Sequence, residues 1–279
     1  MKVLVTGVSG QLGFDVMREL LARGIEAKGA SRSDFSLTDF ASMRRFVEAH
    51  RPTAIIHCAA YTAVDKAEDE PELCREVNAA ATGELARLAK EIGAKLLYIS
   101  TDYVFPGTGK DFYEPEDEKA PCNVYGESKL FGEEAAREAL EELFIVRISW
   151  VFGENGKNFI KTMLRLAETH EELSVVGDQI GSPTYTRDLA RLLADMIVTE
   201  KYGVYHATNE GTCSWAELAA EALRCSGKKT RVKAIKTEEY PTKAKRPKNS
   251  RLSKKCLDDA GFSRLPDWRD AVARYVELI

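Results

Sequence analysis

Short apolar runs alternate with amphipathic segments along the first half of the chain. Runs of strand length cover residues 2–6, 26–31, 53–57, 95–100 and 143–149. The segments between them carry apolar residues at helical spacing, and the longest predicted helix covers residues 72–92. Apolar strands separated by helices are typical of a parallel sheet that is buried on both faces. The pattern therefore predicts an α/β fold built on a doubly wound parallel sheet.

The regular alternation of predicted strands and helices ends after Trp150. Ser214 and Glu217 match a capping box that opens a helix to about Cys225, and Asp267 is predicted to cap a terminal helix. Residues 178–184 and the basic stretch 243–251 are predicted to be irregular. We predict two domains, whose ranges are 1–152 plus about 184–210 for a cofactor-binding domain and about 153–183 plus 211–279 for a smaller C-terminal substrate-binding lobe.

Composition excludes several classes of protein. The net charge is −4, which does not fit a nucleic-acid binder, and no apolar run approaches the roughly 20 residues of a membrane helix. Six cysteines without Cys-x-x-Cys spacing and only four histidines indicate reduced thiols and no metal site. The N-terminus runs directly into a strand, so we expect no signal peptide and a cytoplasmic protein.

A glycine motif lies between the first predicted strand and the first predicted helix. Gly7, Gly10 and Gly13, with Gln11 and Leu12 between the last two, form a G-x-x-G-x-x-G pattern. Glycines there permit a tight turn, and the helix N-terminus supplies free N–H groups to a pyrophosphate. The motif predicts a Rossmann-like dinucleotide-binding domain, and the alternative is a connecting turn that binds nothing.

The end of the second strand bears on the choice of cofactor. It reads Ala30-Ser31-Arg32-Ser33, with no acidic residue to bind a ribose 2′-hydroxyl. A guanidinium at Arg32 suits a 2′-phosphate, so we predict NADPH, while Asp34 nearby leaves NADH open. The alternative for Arg32 is an exposed surface charge. After the third strand, the small residues Ala59 and Ala60, followed by Tyr61 and Thr62, allow a cofactor to pass close to the backbone.

A candidate catalytic pair lies at the start of a predicted helix. Tyr125 and Lys129 are four residues apart and therefore share one helix face, and Thr101 ends the fourth strand before them. An ammonium beside a phenol is expected to lower the pKa of that phenol, which makes Tyr125 a candidate acid–base. Thr101 is placed to hydrogen-bond the same substrate oxygen. The alternative is an exposed helical Tyr/Lys pair.

Longer stretches carry a family resemblance. They are residues 59–68 (AAYTAVDKAE), 100–105 (STDYVF), 147–152 (RISWVF), 178–184 (DQIGSPT) and 246–250 (RPKNS). With the glycine motif and Tyr125-x-x-x-Lys129, they resemble the dTDP-4-dehydrorhamnose reductase family of the extended short-chain dehydrogenase/reductase superfamily. The resemblance covers essentially the whole chain. It implies reduction of a nucleotide-linked keto-sugar by hydride transfer from NADPH, in the pathway to dTDP-rhamnose.

The resemblance also implies roles for individual residues. Tyr125 is the proton donor, Lys129 binds the nicotinamide ribose, and Thr101 helps to polarise the carbonyl. The other implied contacts are Gly10, Gln11 and Leu12 to the pyrophosphate, Ser31 and Arg32 to the adenosine ribose, Ala60, Tyr61 and Thr62 to the cofactor, and Thr101, Asp102 and Trp150 to the sugar. A small-molecule nucleotide sugar is the expected partner, and the resemblance is compatible with a homodimer.

The basic stretch 243–251 is a candidate wall for the nucleotide diphosphate. Arg246 is our choice within it, since Arg pairs well with phosphate oxygens, and the alternative is a solvated basic loop. Two rival functions remain open. One is another nucleotide-sugar epimerase or dehydratase of the superfamily. The other is a non-catalytic NADP-binding regulatory subunit that resembles the methionine adenosyltransferase regulatory protein.

Overall fold

A six-stranded sheet forms the framework of the computed structural model, which describes residues 1–279. The strands of the chain are Lys2–Thr6 (β1), Glu26–Ala30 (β2), Ala54–His57 (β3), Lys95–Thr101 (β4), Leu143–Ile148 (β5), Val151–Phe152 (β6), Glu172–Val176 (β7), Ile180–Gly181 (β8), Thr184–Tyr185 (β9), Gly203–His206 (β10), Asn209–Glu210 (β11), Cys213–Ser214 (β12), Arg231–Ile235 (β13), Asn249–Ser250 (β14) and Leu265–Asp267 (β15). The main sheet has the order β10-β5-β4-β3-β1-β2, and every pair in it is parallel. The predicted doubly wound parallel sheet is confirmed.

Helices cover both faces of this sheet. They are Gln11–Ala22 (α1), Phe40–His50 (α2), Val64–Ala67 (α3), Pro71–Arg75 (α4), Ala81–Ile92 (α5), Val124–Ala139 (α6), Phe159–Leu166 (α7), Thr186–Ile197 (α8), Trp215–Cys225 (α9), Lys255–Asp259 (α10) and Trp268–Val276 (α11). On one face, Val16 of α1 and Leu193 of α8 pack against the sheet in one core cluster. On the other face, Met43, Leu85 and Ala136 from α2, α5 and α6 form a second cluster. None of the helices combines the length and the apolar character that crossing a bilayer requires.

The predicted helix over residues 72–92 is not a single α-helix. A π-helical turn, Glu76–Ala80, separates α4 from α5. Within that turn, the carbonyl of Asn78 accepts a hydrogen bond from the Tyr98 hydroxyl at 3.2 Å. A π-turn shifts the backbone ladder by one residue, and such turns occur often at functional sites. Apolar spacing cannot reveal this shift, since the periodicity continues on both sides of the turn.

The C-terminal part builds its own packing around α7, α9 and α11. Ile160, Leu218 and Trp268 share one buried cluster there, and the capping box at Ser214 and Glu217 forms as predicted. However, Leu257 and Phe262 pack in the same cluster as β1 and α1. Residues of the range 211–279 therefore contribute to the core of the main sheet, and the proposed division into two domains stays a prediction.

Two segments predicted to be irregular contain short strands. Residues 178–184 include β8 and the first residue of β9, and residues 243–251 include β14. β14 and β12 flank β8 in a small three-stranded sheet. The prediction of irregular structure was therefore wrong for these residues. A strand of two residues is too short to show an alternation of apolar and polar positions, so the sequence carries no local signal for it.

A buried ion pair joins α6 to the sheet. Arg147 on β5 and Glu133 on α6 are 0% and 1% exposed, and two of the guanidinium nitrogens donate to the carboxylate at 2.8 and 2.7 Å. The Ser100 hydroxyl on β4 donates to the same carboxylate at 2.6 Å. The remaining guanidinium nitrogen donates to the carbonyl of Pro115 at 2.9 Å. The pair thus fixes α6 relative to β4 and β5.

Removing one partner of this pair should be costly. Glu133→Gln leaves the Arg147 guanidinium buried without its counter-charge, so we expect the free energy of unfolding to fall by about 3–5 kcal/mol. Chemical denaturation measures it. Glu134→Gln, at the exposed neighbouring position, is the control and should change the same quantity by less than about 0.5 kcal/mol. Equal stability of the two variants would contradict the role given to the pair.

Candidate active site

The glycine turn between β1 and α1 is closed by direct backbone contact. Gly7 has a φ of +71°, and a Cβ atom there would lie 2.7 Å from the nitrogen of Ala59, which follows β3. At Gly13, a Cβ atom would collide with the carbonyl of Gly7. Both positions therefore require glycine, one for its backbone conformation and its close neighbour, the other for its close neighbour alone.

The N-terminus of α1 is open and carries no negative charge. Gly10 precedes the helix without any side-chain cap, and the first turn contains no acidic residue. The backbone N–H groups and the positive end of the helix dipole are thus not neutralised locally, which suits a diphosphate. Gln11 is held in place by Asn158, whose side chain donates to its amide oxygen at 3.0 Å. The cradle fits a dinucleotide.

Asp34 and Arg32, which follow β2, differ in their surroundings. One carboxylate oxygen of Asp34 accepts from both the backbone nitrogen and the hydroxyl of Ser31, each at 2.8 Å. These bonds hold the pKa of Asp34 below its usual range. Arg32 is exposed and forms no ion pair. The Asp34 carboxylate is therefore occupied by groups of Ser31, whereas the Arg32 guanidinium is free to bind a ligand.

Residues after β3 are connected to α6 through Asn78. The Asn78 side chain accepts from the nitrogen of Tyr61 at 2.8 Å and donates to its carbonyl at 3.0 Å. The same amide donates to the hydroxyl of Ser128 on α6 at 2.9 Å. Ala59 in turn donates its N–H to the Thr6 hydroxyl at 3.2 Å. The predicted cofactor wall and α6 thus form one hydrogen-bonded unit.

Tyr125 and Thr101 meet at the carboxyl end of the sheet. Thr101 is the last residue of β4, and Tyr125 lies in the first turn of α6, which Asn123 caps by accepting from Gly126 at 2.8 Å. The Tyr125 ring packs edge-on against Tyr103, with 5.6 Å between the ring centres. The Thr101 hydroxyl is close enough to Tyr125 to act on the pKa of its phenol, although the two residues are far apart in the sequence.

The electrostatics of Tyr125 differ from the sequence prediction. Burial raises the pKa of Tyr125 above its ordinary range, and the nearby Thr101 hydroxyl opposes this rise only in part. The Lys129 ammonium donates instead to the carbonyl of Ile99 at 2.7 Å and lies 4.1 Å from the ring centre of Tyr98. Burial also lowers the pKa of Lys129 to about 7. Lys129 therefore does not lower the pKa of Tyr125 in this structure, and the phenol stays protonated at neutral pH.

Asp102 is a buried acid next to Thr101. Its side chain accepts from the Thr101 hydroxyl at 3.0 Å, while its second oxygen is buried without a partner. Burial raises the pKa of Asp102 to about 6, and the nearby hydroxyl groups of Ser250 and Thr101 oppose the rise. A carboxyl group with one unused oxygen beside Thr101 can bind a hydroxyl group of a ligand.

A buried histidine behind the site had no predicted role. His57 ends β3, and its Nδ1 is 2.7 Å from the Thr6 hydroxyl. Burial, with the nearby Lys129 charge, lowers the pKa of His57 to about 3, so the ring is neutral. No spacing in the sequence signals this residue, because a single histidine in an apolar strand looks like an ordinary core position.

Trp150 has a strained backbone and a stacked ring. Its φ of +50° lies in the left-handed region, which is rare for a bulky residue. Its ring stacks on Trp215 with 3.9 Å between the ring centres. The carbonyl of Trp150 accepts from Thr184 at 3.2 Å. Strain of this kind is found at binding sites, where surrounding contacts maintain it.

Arg246 is not a solvated surface charge. It donates to the carboxylate of Asp65 at 2.6 Å, and Lys243 in the same loop pairs with Asp69. One of its guanidinium nitrogens, Nη1, is buried without a partner. The alternative of a free basic loop is therefore wrong for Arg246. Sequence reasoning missed Asp65, although this residue belongs to the stretch 59–68 that carried the resemblance.

Known proteins resemble this chain along its whole length. The family model described as the RmlD substrate binding domain matches residues 1–279. The spore coat polysaccharide biosynthesis protein SpsK of Bacillus subtilis is 41% identical over 276 residues, which are 99% of this chain and 97% of that protein. The dTDP-4-dehydrorhamnose reductase of Escherichia coli is 40% identical over 289 residues, covering 98% and 96%.

A solved structure matches equally well. The crystal structure of dTDP-4-dehydrorhamnose reductase from Bacillus anthracis in complex with NADP has a TM-score of 0.97 and 41% identity, and the match covers 100% of both chains. At that similarity the likeness concerns the sequence as well as the fold.

Gly7 and Gly24 offer a matched test of the glycine turn. Both have a φ near +70°, but a Cβ atom at Gly24 meets nothing within 4 Å. Gly24→Ala thus adds only backbone strain, whereas Gly7→Ala adds strain and a collision with Ala59. We expect Gly7→Ala to lower the free energy of unfolding by about 1–3 kcal/mol more than Gly24→Ala, the usual cost of overpacking. Thermal or chemical unfolding measures it, and equal losses would show that Ala59 moves away freely.

Proposed function

The chain belongs to the RmlD substrate binding domain family, and from this membership we propose that it reduces dTDP-4-dehydro-L-rhamnose to dTDP-L-rhamnose with NADPH as the cofactor. It is an oxidoreductase of that family. Relatives named dTDP-4-dehydrorhamnose reductase at about 40% identity support the reaction, and the NADP complex of the Bacillus anthracis protein supports the cofactor.

The observation that carries the proposal is the meeting of Thr101 and Tyr125 beside the glycine cradle. The carboxyl ends of β1, β3 and β4 lie side by side in the sheet, so the open N-terminus of α1, the Ala59 turn and Thr101 share one edge. In open α/β sheets, ligands bind outside the carboxyl ends of the strands. A cofactor in the cradle and a proton donor at Tyr125 are therefore neighbours.

The cofactor would be held by residues with distinct tasks. The pyrophosphate fits the turn of Gly7, Gly10 and Gly13 with Gln11 and Leu12, and the adenosine phosphate fits Ser31 and Arg32. The remaining contacts would come from Ala59, Ala60, Tyr61, Thr62 and Lys129. When bound, NADPH supplies the hydride for carbon 4 of the keto-sugar.

Tyr125 then acts as the proton donor. Its raised pKa keeps the phenol protonated at neutral pH, which a donor to an emerging alkoxide must be. The Thr101 hydroxyl, which donates to Asp102 in this structure, would turn to donate a hydrogen bond to the same oxygen and so polarise the carbonyl. Lys129 is buried and donates to the carbonyl of Ile99, and its remaining N–H groups would bind a ribose hydroxyl. Asp102 and Trp150 would contact the sugar, and Arg246 the diphosphate.

An assay with enzymatically made dTDP-4-dehydro-L-rhamnose tests the proposal and its rivals. Loss of NADPH absorbance that depends on the keto-sugar, with dTDP-L-rhamnose as the product, supports the reductase. Interconversion of nucleotide sugars without net NADPH oxidation would instead favour an epimerase or a dehydratase. Tight NADP binding without turnover of any nucleotide sugar would favour a regulatory subunit.

Replacing Tyr125 separates chemistry from binding. Tyr125→Phe removes the proton donor and keeps the ring, so we expect kcat to fall by roughly 10²-fold or more while NADPH binding stays nearly intact. Steady-state kinetics and the fluorescence of bound NADPH measure the two effects. Tyr202→Phe, far from the site on the opposite end of the sheet, is the control and should leave kcat unchanged. Near-normal turnover of Tyr125→Phe would remove this residue from the chemistry.

Arg32 decides the cofactor preference in this proposal. Arg32→Ala should weaken NADPH binding by about 1.5–3 kcal/mol, the range for a hydrogen bond to a charged group, and should leave NADH binding almost unchanged. Binding titrations with both cofactors measure this difference. Arg45→Ala removes an exposed guanidinium from α2 and serves as the control. Equal losses for NADPH and NADH would exclude a contact between Arg32 and the 2′-phosphate.

A further inference from the structure

One acidic residue holds the basic loop at two points. Asp65 lies on α3, shortly after the predicted cofactor wall. One of its carboxylate oxygens accepts from the Arg246 guanidinium at 2.6 Å, and the other accepts from the backbone nitrogen of Ala244 at 3.0 Å. A side chain and a backbone position two residues apart are thus fixed by the same carboxylate. This arrangement constrains both the direction of the Arg246 side chain and the path of the loop.

The second side of the Arg246 guanidinium is left for a ligand. Its Nη1 atom is buried and has no hydrogen-bond partner, which is unusual for a charged donor. The loop also reaches the helix that carries Tyr125, since the carbonyl of Lys245, the neighbour of Arg246, accepts at 2.9 Å from the Asn123 side chain, which caps α6. The charge of Arg246 opposes the rise that burial causes in the pKa of Tyr103. Tyr103 packs directly against Tyr125. The unused donor therefore belongs to a loop that is bound to the N-terminus of the proposed catalytic helix, and an oxygen-rich anion would satisfy it.

The segment that carries Asp65 is itself fixed on the opposite side. Glu68 accepts from the backbone nitrogen of Val124, at the first turn of α6, at 2.9 Å. Tyr61 is bound at its backbone by Asn78 and donates its hydroxyl to Glu70 at 2.8 Å. Asp65 thus projects from a segment that is anchored to the catalytic helix, and so it can transmit the position of that helix to the loop.

We propose that Asp65 is a positioning residue that fixes Arg246, through the contacts to Arg246 and Ala244, for binding the diphosphate of the sugar nucleotide. The inference rests on the proposed function, because that function supplies the diphosphate. Asp65 itself would touch neither substrate nor cofactor.

A competing effect of Asp65 has the opposite sign. Its negative charge beside Arg246 weakens the attraction of the loop for an anion, so removing the charge would strengthen diphosphate binding if charge alone mattered. The side chain of Asp65 is 47% exposed, and solvent screens a charge at such a position. Loss of a fixed orientation of the guanidinium is the larger effect, since a charge-assisted hydrogen bond from Nη1 to phosphate depends on that orientation. The direction of the change in affinity therefore separates the two effects.

The experiment compares Asp65→Ala with a matched control. Asp69→Ala, four residues further on, removes the partner of Lys243 in the same loop and leaves Arg246 paired. For Asp65→Ala, we expect KM for the sugar nucleotide to rise roughly tenfold, the scale of one charge-assisted hydrogen bond, with kcat and NADPH affinity little changed. Asp69→Ala should change KM less than about twofold, as is usual for exposed ion pairs. An unchanged or lower KM in Asp65→Ala would overturn the proposal.

The variant Arg246→Ala and the double variant test whether Asp65 acts through Arg246. Arg246→Ala should raise KM for the sugar nucleotide without weakening NADPH, and adding Asp65→Ala to it should cause little further change. Additive effects on KM would show that Asp65 acts by another route. A purely structural role would lower the melting temperature and kcat together without this non-additivity.

Calorimetric titration with dTDP separates failure of the inference from failure of the proposed function. dTDP carries the diphosphate and requires no turnover. If the unchanged protein fails to reduce the keto-sugar, the proposed function is wrong, whatever the variants do. If the unchanged protein is active and binds dTDP, and Asp65→Ala binds dTDP as well as Asp69→Ala does, the inference alone is wrong.

Discussion

The buried pair of Arg147 and Glu133 is the constraint on which the site depends. A guanidinium without solvent contact is tolerated only where charge and hydrogen bonds compensate it, so β5 and α6 must meet at one position. The Ser100 hydroxyl donates to the Glu133 carboxylate and so connects β4, the strand that ends in Thr101, to the same pair. The pair thereby sets the distance between the end of β4 and the helix that carries Tyr125. His206 extends the network to the edge strand β10, because its ring contacts the Arg147 guanidinium. Burial and the charge of Arg147 lower the pKa of His206, so its ring is neutral.

Close backbone approach is the second condition for the site. Gly126 lets the first turn of α6 contact the carbonyl of Tyr103, and Gly132 lets the same helix contact Asn78 and Tyr98. Gly7 does the same for the turns after β1 and β3. At each of these glycines, a neighbouring group occupies the space that a Cβ atom would need. The elements on either side therefore pack directly against each other. The carboxyl-terminal edge of the sheet, where the proposed site lies, is compact because these positions lack a Cβ atom.

Polar contacts join the C-terminal segments to the first half of the chain around the proposed ligand sites. Asn158 reaches Gln11 in the glycine cradle, and Arg246 reaches Asp65 behind the cofactor wall. Such contacts let the elements around one ligand constrain those around the other. Trp150 has a strained backbone, and its ring stacks on Trp215, the first residue of α9. The residues proposed to touch the sugar and the diphosphate therefore belong to elements that are mutually fixed.

Periodicity and short-range spacing determined most of what could be predicted. The strands of the main sheet, the glycine turn and the pair Tyr125/Lys129 are set by residues close in the sequence, so their pattern is visible without the fold. The tertiary structure alone decided that the Lys129 ammonium turns to Ile99, that Glu133 meets Arg147, and that Asp65 meets Arg246 across 181 positions. With 84 charged residues (40 basic and 44 acidic), each has many candidate partners in the sequence. Only the packing of distant elements selects one of them.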